Sequence, residues 1–334
     1  MSEYKVGDTP LSQMDIGIAG HGAVGLSIYR SMLKDGLSGV ITYGRPQILD
    51  VVASGHDLLV YAAVSGKKYA ANADPFYDMV QMKQALRRIL LSEASHVILI
   101  STIDAAFEEG PYASAYGASR KWLEDELLKR MPEGSLTILR LPQLFGPHIK
   151  KNVIFDSNAM PYAHLDTRWW VPMDSGFKDS IIEFASEIGL KQEIEFDRFD
   201  DTARFAEGSP LNTGEIGPHN FNNPESLMVL CNPEQILTVL DKIDTSKNRV
   251  YDLVTENRVS NASDMVSKTM TVSDVYEMAG VEIPKRVLEL QREKFPKYDQ
   301  RSGLVNEVLT TGSGDLSWES IASQIKLKAM VNKK

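Results

Sequence analysis

The sequence predicts an α/β protein with a doubly wound parallel sheet, helices on both faces, and a smaller C-terminal cap. Short apolar segments alternate with amphipathic ones as far as Leu141, which is the order of repeated βαβ units. Several of the apolar segments are nearly continuous, as expected for strands that helices cover on both faces. The alternation stops after Pro147, so a different unit begins there.

Six strands are predicted before Pro147. They cover residues 14–19, 39–43, 48–53, 57–63, 96–100 and 136–141. The helices between them cover residues 23–33, 75–91 and 116–129. The second helix has a clear start, because Asp74 can cap it and Pro75 suits the first helical position. The interval from Arg45 to His56 has room for a strand but not for another full helix, so the sheet is abbreviated there.

The C-terminal half has a different pattern. Residues 148–225 are richer in Pro, Asn, Asp, Trp and Phe, and one helix is predicted at 177–188. A strand at 249–254 and a helix start at 271–274 follow. We therefore predict a sheet domain at 1–150 and mainly a cap at 151–334, with about 249–280 returning to the sheet domain.

Composition narrows the classes of protein. The chain has 334 residues, 43% hydrophobic and 24% charged, as in ordinary globular domains. Its formal net charge of -9 argues against a nucleic-acid surface, which needs clustered Lys and Arg. The single cysteine, Cys231, cannot form an internal disulfide and is expected in the core; no His/Cys cluster indicates a metal. A polar N-terminus without a signal-peptide pattern, and no apolar run of membrane-spanning length, predict a soluble cytoplasmic protein.

The turn Gly20-His21-Gly22-Ala23-Val24-Gly25 is the strongest local signal. It lies between the first strand and the first helix, and a G-x-G-x-x-G turn in that context predicts a dinucleotide site. Gly20 would permit the tight turn, Gly22 the approach of a pyrophosphate, and Gly25 close packing of helix on strand. The helix N-terminus would present free N–H groups to the phosphates. The alternative is a βα turn that is merely rich in glycine.

Two further groups of residues could carry chemistry. Ser101 and Thr102 follow the strand at 96–100, at the sheet edge where ligands bind in open α/β folds, so a hydroxyl there could hold a substrate oxygen. Otherwise they would cap a turn. Tyr116 and Arg120 are four residues apart at a helix start, and this spacing places the cation beside the phenol, where it would lower the tyrosine pKa. The alternative is an amphipathic helix with a surface arginine and a half-buried tyrosine.

Taken in order, these residues resemble the extended short-chain dehydrogenase/reductase superfamily, of the NAD-dependent epimerase/dehydratase type. The resemblance covers the N-terminal half well and adds a Rossmann fold to the expectation. The matching segments are Gly20-x-Gly22-x-x-Gly25, Tyr61-Ala62-Ala63, Ile100-Ser101-Thr102-Ile103-Asp104, Tyr116-Gly117-Ala118-Ser119-Arg120, and Leu139-Arg140-Leu141-Pro142 with Phe145-Gly146-Pro147. Fainter matches follow at Val250-Tyr251-Asp252-Leu253-Val254-Thr255 and Thr271-Val272-Ser273-Asp274-Val275.

The resemblance implies roles for these residues. Tyr116 would be the general acid/base, Thr102 would help hold the reacting oxygen, and Arg120 would contact the nicotinamide ribose. The cofactor-binding set it implies is Gly20, His21, Gly22, Ala23, Val24, Gly25, Arg45, Ala62, Ala63, Ser101, Tyr116, Arg120 and Pro142. The substrate-binding set is Thr102, Asp104, Gln143 and Asn152. Family members mostly act on nucleotide-linked or other activated sugars, and some form homodimers through the helix that carries the tyrosine.

Two departures from the family pattern bear on the reaction. Arg120 stands where the family has lysine, and its planar fork is not equivalent to an ammonium group. Ala105-Ala106-Phe107 stands where the family commonly has Val-Tyr-Gly, whose tyrosine often lines the substrate site.

The second strand ends in Tyr43-Gly44-Arg45, with no acidic residue before Asp50. This favours NADP over NAD, unless Arg45 is a solvated loop residue.

The substrate side of the sequence leaves alternatives open. Lys150, Lys151 and Asn152 could meet a diphosphate or form a solvated basic turn. The cluster Arg168-Trp169-Trp170 could stack on a base or sugar or fill the core of the cap. The sequence thus predicts an NAD(P)-dependent oxidoreductase or epimerase for an activated sugar. The rivals are a dinucleotide-binding sensor or scaffold without catalysis, and a reductase of a non-sugar carbonyl compound.

Overall fold

The main sheet of the protein, seen in a computed structural model, is built from seven parallel strands. The structure describes residues 4–109, 113–146, 149, 171–172, 194–196, 202–205, 223–255, 270–279, 285–294 and 297–311. In chain order, the strands of this sheet are β1 (Ile16–Ala19), β2 (Ile41–Tyr43), β3 (Leu58–Tyr61), β4 (His96–Thr102), β5 (Leu136–Leu141), β6 (Arg249–Thr255) and β7 (Glu307–Thr311). Their order across the sheet is β7-β6-β5-β4-β3-β1-β2. Because the chain turns from β2 to the opposite side of β1, the switch point of the topology lies between β1 and β3.

Helices and short strands complete the described part of the chain. The helices are α1 (Ala23–Lys34), α2 (Lys68–Ala73), α3 (Pro75–Leu90), α4 (Ala115–Arg130), α5 (Val272–Ala279) and α6 (Lys285–Lys294). Turns of 3-10 helix lie at Leu11–Gln13, Ile48–Val51, Ile103–Ala106, Pro233–Lys242 and Gln300–Gly303. Short strand pairs join Lys5–Val6 to Thr9–Pro10, Gln143–Leu144 to Leu230–Cys231, and Leu227–Met228 to Met270–Thr271. Val171–Pro172, Ile194–Phe196 and Thr202–Phe205 form an antiparallel set of their own.

Both faces of the sheet are buried, as the nearly continuous apolar strands predicted. In β3, Leu58 and Val60 pack on the face that α1 covers, whereas Leu59 and Tyr61 pack on the face that α3 and α4 cover. The alternation follows from the two-residue period of a strand. Burial of each such side chain contributes roughly 1.5–3 kcal/mol, so the sheet is stabilised from both sides. The doubly wound Rossmann fold is therefore confirmed.

The helices begin where the sequence places capping residues. The Asp74 carboxylate accepts a hydrogen bond from the Tyr77 N–H at 2.9 Å, with proline in the first turn of α3. At α5, the Asp274 N–H donates to Thr271 Oγ1 at 3.0 Å, and the Thr271 N–H donates to Asp274 Oδ2 at 2.7 Å. This reciprocal pattern is a capping box, and it confirms the predicted helix start at 271–274.

The strand predicted at 48–53 is wrong. Ile48–Val51 forms a 3-10 turn instead, and β2 is the edge strand of the sheet on that side. Ile48 and Val51 both pack into the core of the α3–α4 face, whereas Leu49 is 63% exposed. A spacing of three residues between inward side chains fits a 3-10 turn, and the same short apolar run looks like a strand when only its composition is considered.

The C-terminal half contributes more to the main sheet than the sequence predicted. The strand predicted at 249–254 is β6, which pairs with β5 on one side and β7 on the other. Strand β7 was not predicted. The 3-10 segment Pro233–Lys242 packs Ile236, Leu237 and Leu240 beneath the face that α1 covers, and Cys231 is fully buried beside them, as expected.

Some sequence predictions fall on residues that the structure does not describe. These include the helix at 177–188, and the domain division at residue 150 stays a prediction. Within the described residues, no helix has the length and apolar character needed to cross a membrane.

Candidate functional site at the carboxyl edge of the sheet

The glycine turn has the three features that the motif predicts. Gly20 has φ +112°, and a Cβ atom there would lie 2.5 Å from the Ala62 carbonyl oxygen. A Cβ atom on Gly25 would lie 2.0 Å from the Gly20 oxygen, so only glycine lets α1 pack against the turn. By contrast, among the described residues no heavy atom outside the turn itself lies within 4 Å of a Cβ placed on Gly22. The turn is therefore tight at both ends and open in the middle, which suits a phosphate group that approaches the backbone.

The turn lies at the switch point of the sheet. The Ala62 N–H, just beyond β3, donates to the Ala19 carbonyl at the end of β1 (2.7 Å), so Ala62 and Ala63 border the turn. Gly22 is the N-cap residue of α1 and supplies no side-chain cap to its first turn, which includes Ala23 and Val24. The N–H groups of that turn are thus left for a ligand or for water.

The end of β2 borders the other side of the turn. The His21 ring Nε2 lies 2.9 Å from Thr42 Oγ1, so the His21 side chain connects the turn to β2. Arg45 follows β2 and is exposed. Asp50 is also exposed, on the 3-10 turn at Ile48–Val51. Arg45, which the sequence assigned to the 2′-phosphate of NADP, is therefore accessible at this edge of the sheet.

Tyr116 and Thr102 meet at the same edge. Thr102 is the last residue of β4, and Tyr116 lies in the first turn of α4, whose start is fixed by a hydrogen bond from the Tyr116 N–H to Asn72 Oδ1 (3.0 Å). The Thr102 side chain lies close enough to the Tyr116 phenol to lower its pKa. The structure thus brings together the two residues that the sequence singled out for acid/base chemistry.

The pKa of Tyr116 is not lowered overall, contrary to expectation. Burial raises the pKa of Tyr116 to about 12, whereas the positive charge of Arg120 and the hydrogen bond from Thr102 lower it, and the charges of Asp104 and Asp78 raise it further. Arg120 acts in the predicted direction, but loss of water around the phenol outweighs it. Tyr116 is therefore a neutral phenol at neutral pH and holds a proton that it can donate.

Arg120 lies on the same helix face as Tyr116, as its spacing predicted, with its guanidinium 3.9 Å from the centre of the tyrosine ring. It is not a surface residue, because it is only 2% exposed. Its Nη1 binds the Asp78 carboxylate, and its Nη2 donates to the Ser65 carbonyl at 2.6 Å. Its two Nη atoms are therefore engaged by the protein, whereas its buried Nε has no hydrogen-bond partner in the described part of the chain; contact with a cofactor ribose, which the family resemblance implied, stays a prediction.

The Ser101 hydroxyl has a partner on helix α4. Its hydroxyl donates to Glu124 Oε1 at 2.6 Å, and Glu124 is paired with Arg140, whose Nη2 lies 2.5 Å from Oε2. Burial raises the pKa of Glu124, although Arg140 and Ser101 oppose this. The Ser101 hydroxyl is thus engaged by Glu124, and the cofactor-binding role of Ser101 stays a prediction.

The sequence did not reveal two contacts to Asp104. Its Oδ1 accepts hydrogen bonds from Lys68 Nζ at 3.0 Å and from the Tyr298 hydroxyl at 3.3 Å. Its backbone N–H donates to Thr102 Oγ1 at 3.2 Å, so Asp104 lies directly beside the Thr102–Tyr116 pair. Lys68 and Tyr298 come from distant parts of the chain, and no local motif marks either of them.

The remaining predicted site residues are only partly described. Pro142 is buried, and Gln143 lies in the short strand Gln143–Leu144, where its N–H donates to the Val229 carbonyl at 3.1 Å. Asn152 and the residues Lys150, Lys151, Arg168, Trp169 and Trp170 lie outside the described residues. Within the described part of the chain, no group of His, Cys, Asp and Glu side chains could hold a metal ion.

The fold and the glycine turn together define a Rossmann protein with its candidate site at the β1–β3 switch point. No protein-family model matches the chain, and no curated protein sequence matches it. Solved structures do share its fold over almost the whole chain, and three of them illustrate the likeness.

One is MoeE5 in complex with UDP-glucose and NAD, at 13% identity and TM-score 0.55, covering 95% of this chain and 99% of that one. A second is the Bordetella bronchiseptica enzyme WbmG in complex with NAD and UDP, at 11% identity and TM-score 0.53, covering 96% of each chain. A third is MlghC, a GDP-mannoheptose C4 reductase from Campylobacter jejuni with NADP bound, at 12% identity and TM-score 0.51, covering 96% of this chain and 99% of that one. At these identities the likeness concerns the fold.

Proposed function

We propose that the protein is an NAD(P)-dependent oxidoreductase or epimerase that acts on an activated, nucleotide-linked sugar. The observation that carries this proposal is that Tyr116 and Thr102 lie together, at the sheet edge that also holds the glycine turn. Hydroxyl groups of this kind can hold and protonate a substrate oxygen. The names of the similar structures support the substrate class, since UDP-glucose is bound to MoeE5 and GDP-mannoheptose is named for MlghC.

The residues at the glycine turn fit a dinucleotide. The open space in front of Gly22 would take the pyrophosphate, and the first turn of α1, with Ala62 and Ala63, would complete the cradle. When bound, the nicotinamide would supply or accept a hydride. The exposed Arg45 favours the 2′-phosphate of NADP, although the similar structures include both NAD and NADP complexes.

Cofactor choice can be measured directly. Titration with NADPH and NADH, followed by fluorescence, should give tighter binding of NADPH. Arg45→Ala should remove that preference by weakening NADPH while leaving NADH unchanged, and Arg30→Ala on α1 is a control that also removes an arginine. Equal affinity for both cofactors in the wild-type protein would contradict the assignment of Arg45.

We infer that Tyr116 acts as the acid in a carbonyl reduction. With its pKa raised to about 12, the phenol stays protonated at neutral pH and can donate its proton to the oxygen of a substrate carbonyl. The Thr102 hydroxyl would position that oxygen. The alternative, a dinucleotide sensor or scaffold, is favoured by one observation: both Nη atoms of Arg120 are held by the protein, through Asp78 and Ser65.

Single-turnover absorbance at the nicotinamide band separates these alternatives. Enzyme with reduced cofactor would be mixed with 4-keto sugar nucleotides and, separately, with simple ketones. Tyr116→Phe should slow turnover by roughly 10²–10⁴-fold with near-normal cofactor affinity, whereas Tyr77→Phe, an exposed tyrosine on α3, should leave it unchanged. Bound cofactor that never changes its absorbance would favour the sensor, and full activity of Tyr116→Phe would refute the role of Tyr116.

A further inference from the structure

Helix α2 reaches the Tyr116 site with two side chains. Lys68 Nζ donates to Asp104 Oδ1, and Asn72 Oδ1 accepts a hydrogen bond from the Tyr116 N–H, each at 3.0 Å. The two residues are four positions apart, so they lie on one face of the helix. Lys68 therefore belongs to the surroundings of the Tyr116–Thr102 pair, although nothing in the sequence marks it.

A continuous chain of contacts connects Lys68 to Tyr116. The lysine ammonium lies on one carboxylate oxygen of Asp104, which the Tyr298 hydroxyl also contacts. The other oxygen, Oδ2, lies 3.3 Å from Thr102 Oγ1 and accepts from that hydroxyl. Thr102 in turn lies close enough to the phenol to lower its pKa. Asp104 is 15% exposed and Lys68 41% exposed, so the chain runs from a buried phenol to solvent.

The charges around Tyr116 show why Lys68 matters. The charged groups that act on the phenol are Arg120 on the same helix, Asp78 from α3, and Asp104 from the 3-10 turn after β4. The Arg120 guanidinium is ion-paired with Asp78, which leaves the negative charge of Asp104 to be balanced by another group. Lys68 supplies that positive charge.

We propose that Lys68 is a positioning residue of the Tyr116 site: its ammonium group neutralises Asp104 and so holds the Thr102 hydroxyl against the phenol. The role of this site in catalysis rests on the proposed function, whereas the arrangement of charges does not. In this arrangement Lys68 does not touch the substrate. It offsets part of the Asp104 charge, which raises the Tyr116 pKa, and in its absence Asp104 would disfavour the phenolate more strongly.

The matched variants are Lys68→Met and Lys67→Met. Both remove one ammonium group from neighbouring positions at the start of α2, but only Lys68 contacts Asp104. In the alcohol-oxidation direction, Lys68→Met should move the pH profile of kcat up by roughly half a pH unit, the size expected of a partly exposed ion pair. Below the profile's pKa this is an approximately threefold lower kcat, with KM for the cofactor unchanged. Lys68→Arg should restore the profile, and Lys67→Met should match the wild-type enzyme.

A second readout does not depend on turnover. The ¹³Cζ resonance of Tyr116, identified by its absence in Tyr116→Phe, reports ionisation of the phenol directly. Its titration should begin at higher pH in Lys68→Met than in Lys67→Met, and Lys68→Met/Asp104→Asn should reverse the shift, because the unbalanced carboxylate is then gone. Circular dichroism sets the upper pH limit at which the protein is still folded.

The outcomes separate the two proposals. An unshifted titration of the Tyr116 resonance in Lys68→Met would overturn the role of Lys68, whatever the pH profile of kcat shows. A shifted resonance in a protein that turns over no substrate would support the role of Lys68 and refute the proposed function. An equal shift in Lys67→Met would show a general effect of net charge and would likewise overturn the specific role.

Discussion

Asp78→Ala tests whether Arg120 is a structural residue or a cofactor ligand. The two side chains form an ion pair in which Arg120 is 2% and Asp78 is 7% exposed, between α4 and α3. Removal of the carboxylate leaves a buried guanidinium without its counter-charge and also takes the partner of the Ser119 hydroxyl, which donates to Asp78 Oδ2 at 2.5 Å. Breaking a buried pair in this way costs about 3–5 kcal/mol.

Urea unfolding followed by circular dichroism measures this cost. The matched control is Asp125→Ala, which makes the same substitution on the neighbouring helix. Asp125 is 54% exposed and pairs with Lys121 at 2.6 Å, so its removal should change the free energy of unfolding by about 0–1 kcal/mol. The double variant Arg120→Met/Asp78→Leu should recover most of the loss, because two apolar side chains of similar size need no counter-charge.

A loss in Asp78→Ala no larger than that in Asp125→Ala would refute this reasoning. It would mean that the Arg120 charge is solvated without Asp78 and is free to turn towards a ligand. The companion result would then be a large loss of cofactor affinity in Arg120→Met with little change in stability. The structure predicts the opposite: a large loss of stability in Asp78→Ala and a smaller effect of Arg120→Met on cofactor affinity.

Three further predictions concern the glycine turn and the tyrosine. Gly25→Ala should destabilise the fold and abolish cofactor binding, because its Cβ would lie 2.0 Å from the Gly20 oxygen; thermal unfolding and cofactor titration check both. Gly22→Ala should leave the melting temperature nearly unchanged, because its Cβ meets open space, and should weaken cofactor binding, so a loss of stability without a loss of affinity would contradict the assigned role. Between pH 10 and 12, the wild-type protein should lose up to about 3 kcal/mol of stability relative to Tyr116→Phe. The reason is that the raised pKa of Tyr116, about 12, keeps the folded phenol protonated after the unfolded one has ionised. Urea unfolding at stepped pH measures this difference, and a constant difference across that range would contradict it.

Much of the fold could be predicted because its signals are local. Strand β5 and helix α1 lie within one residue of their predicted bounds, since apolar runs and capping residues mark them. The prediction failed where a segment is short. Ile48–Val51 has the composition of a strand but the spacing of a 3-10 turn, and β7, with Val308 exposed and Leu309 buried, has too few apolar residues to stand out.

The candidate site could be predicted in part for the same reason. Tyr116 and Thr102 come from local motifs, and the structure places them together. The partners of Arg120 could not be predicted, because Asp78 lies on another helix and Ser65 in a loop. The Glu124–Arg140 pair has one signal in the sequence. Arg140 is a charged residue inside an apolar strand, and such a residue indicates a buried ion pair.

By itself the sequence determined the doubly wound fold and the glycine turn, and it singled out Tyr116 and Thr102 as candidate site residues. Each depends on a periodicity or a spacing of a few residues along one strand, turn or helix, and such spacings carry over directly into geometry. Only the tertiary structure decided that Arg120 is bound to Asp78, that Ser101 faces Glu124, and that Lys68 lies on Asp104. These pairings join residues 23 to 42 positions apart, so packing of the helices on the sheet had to bring them together.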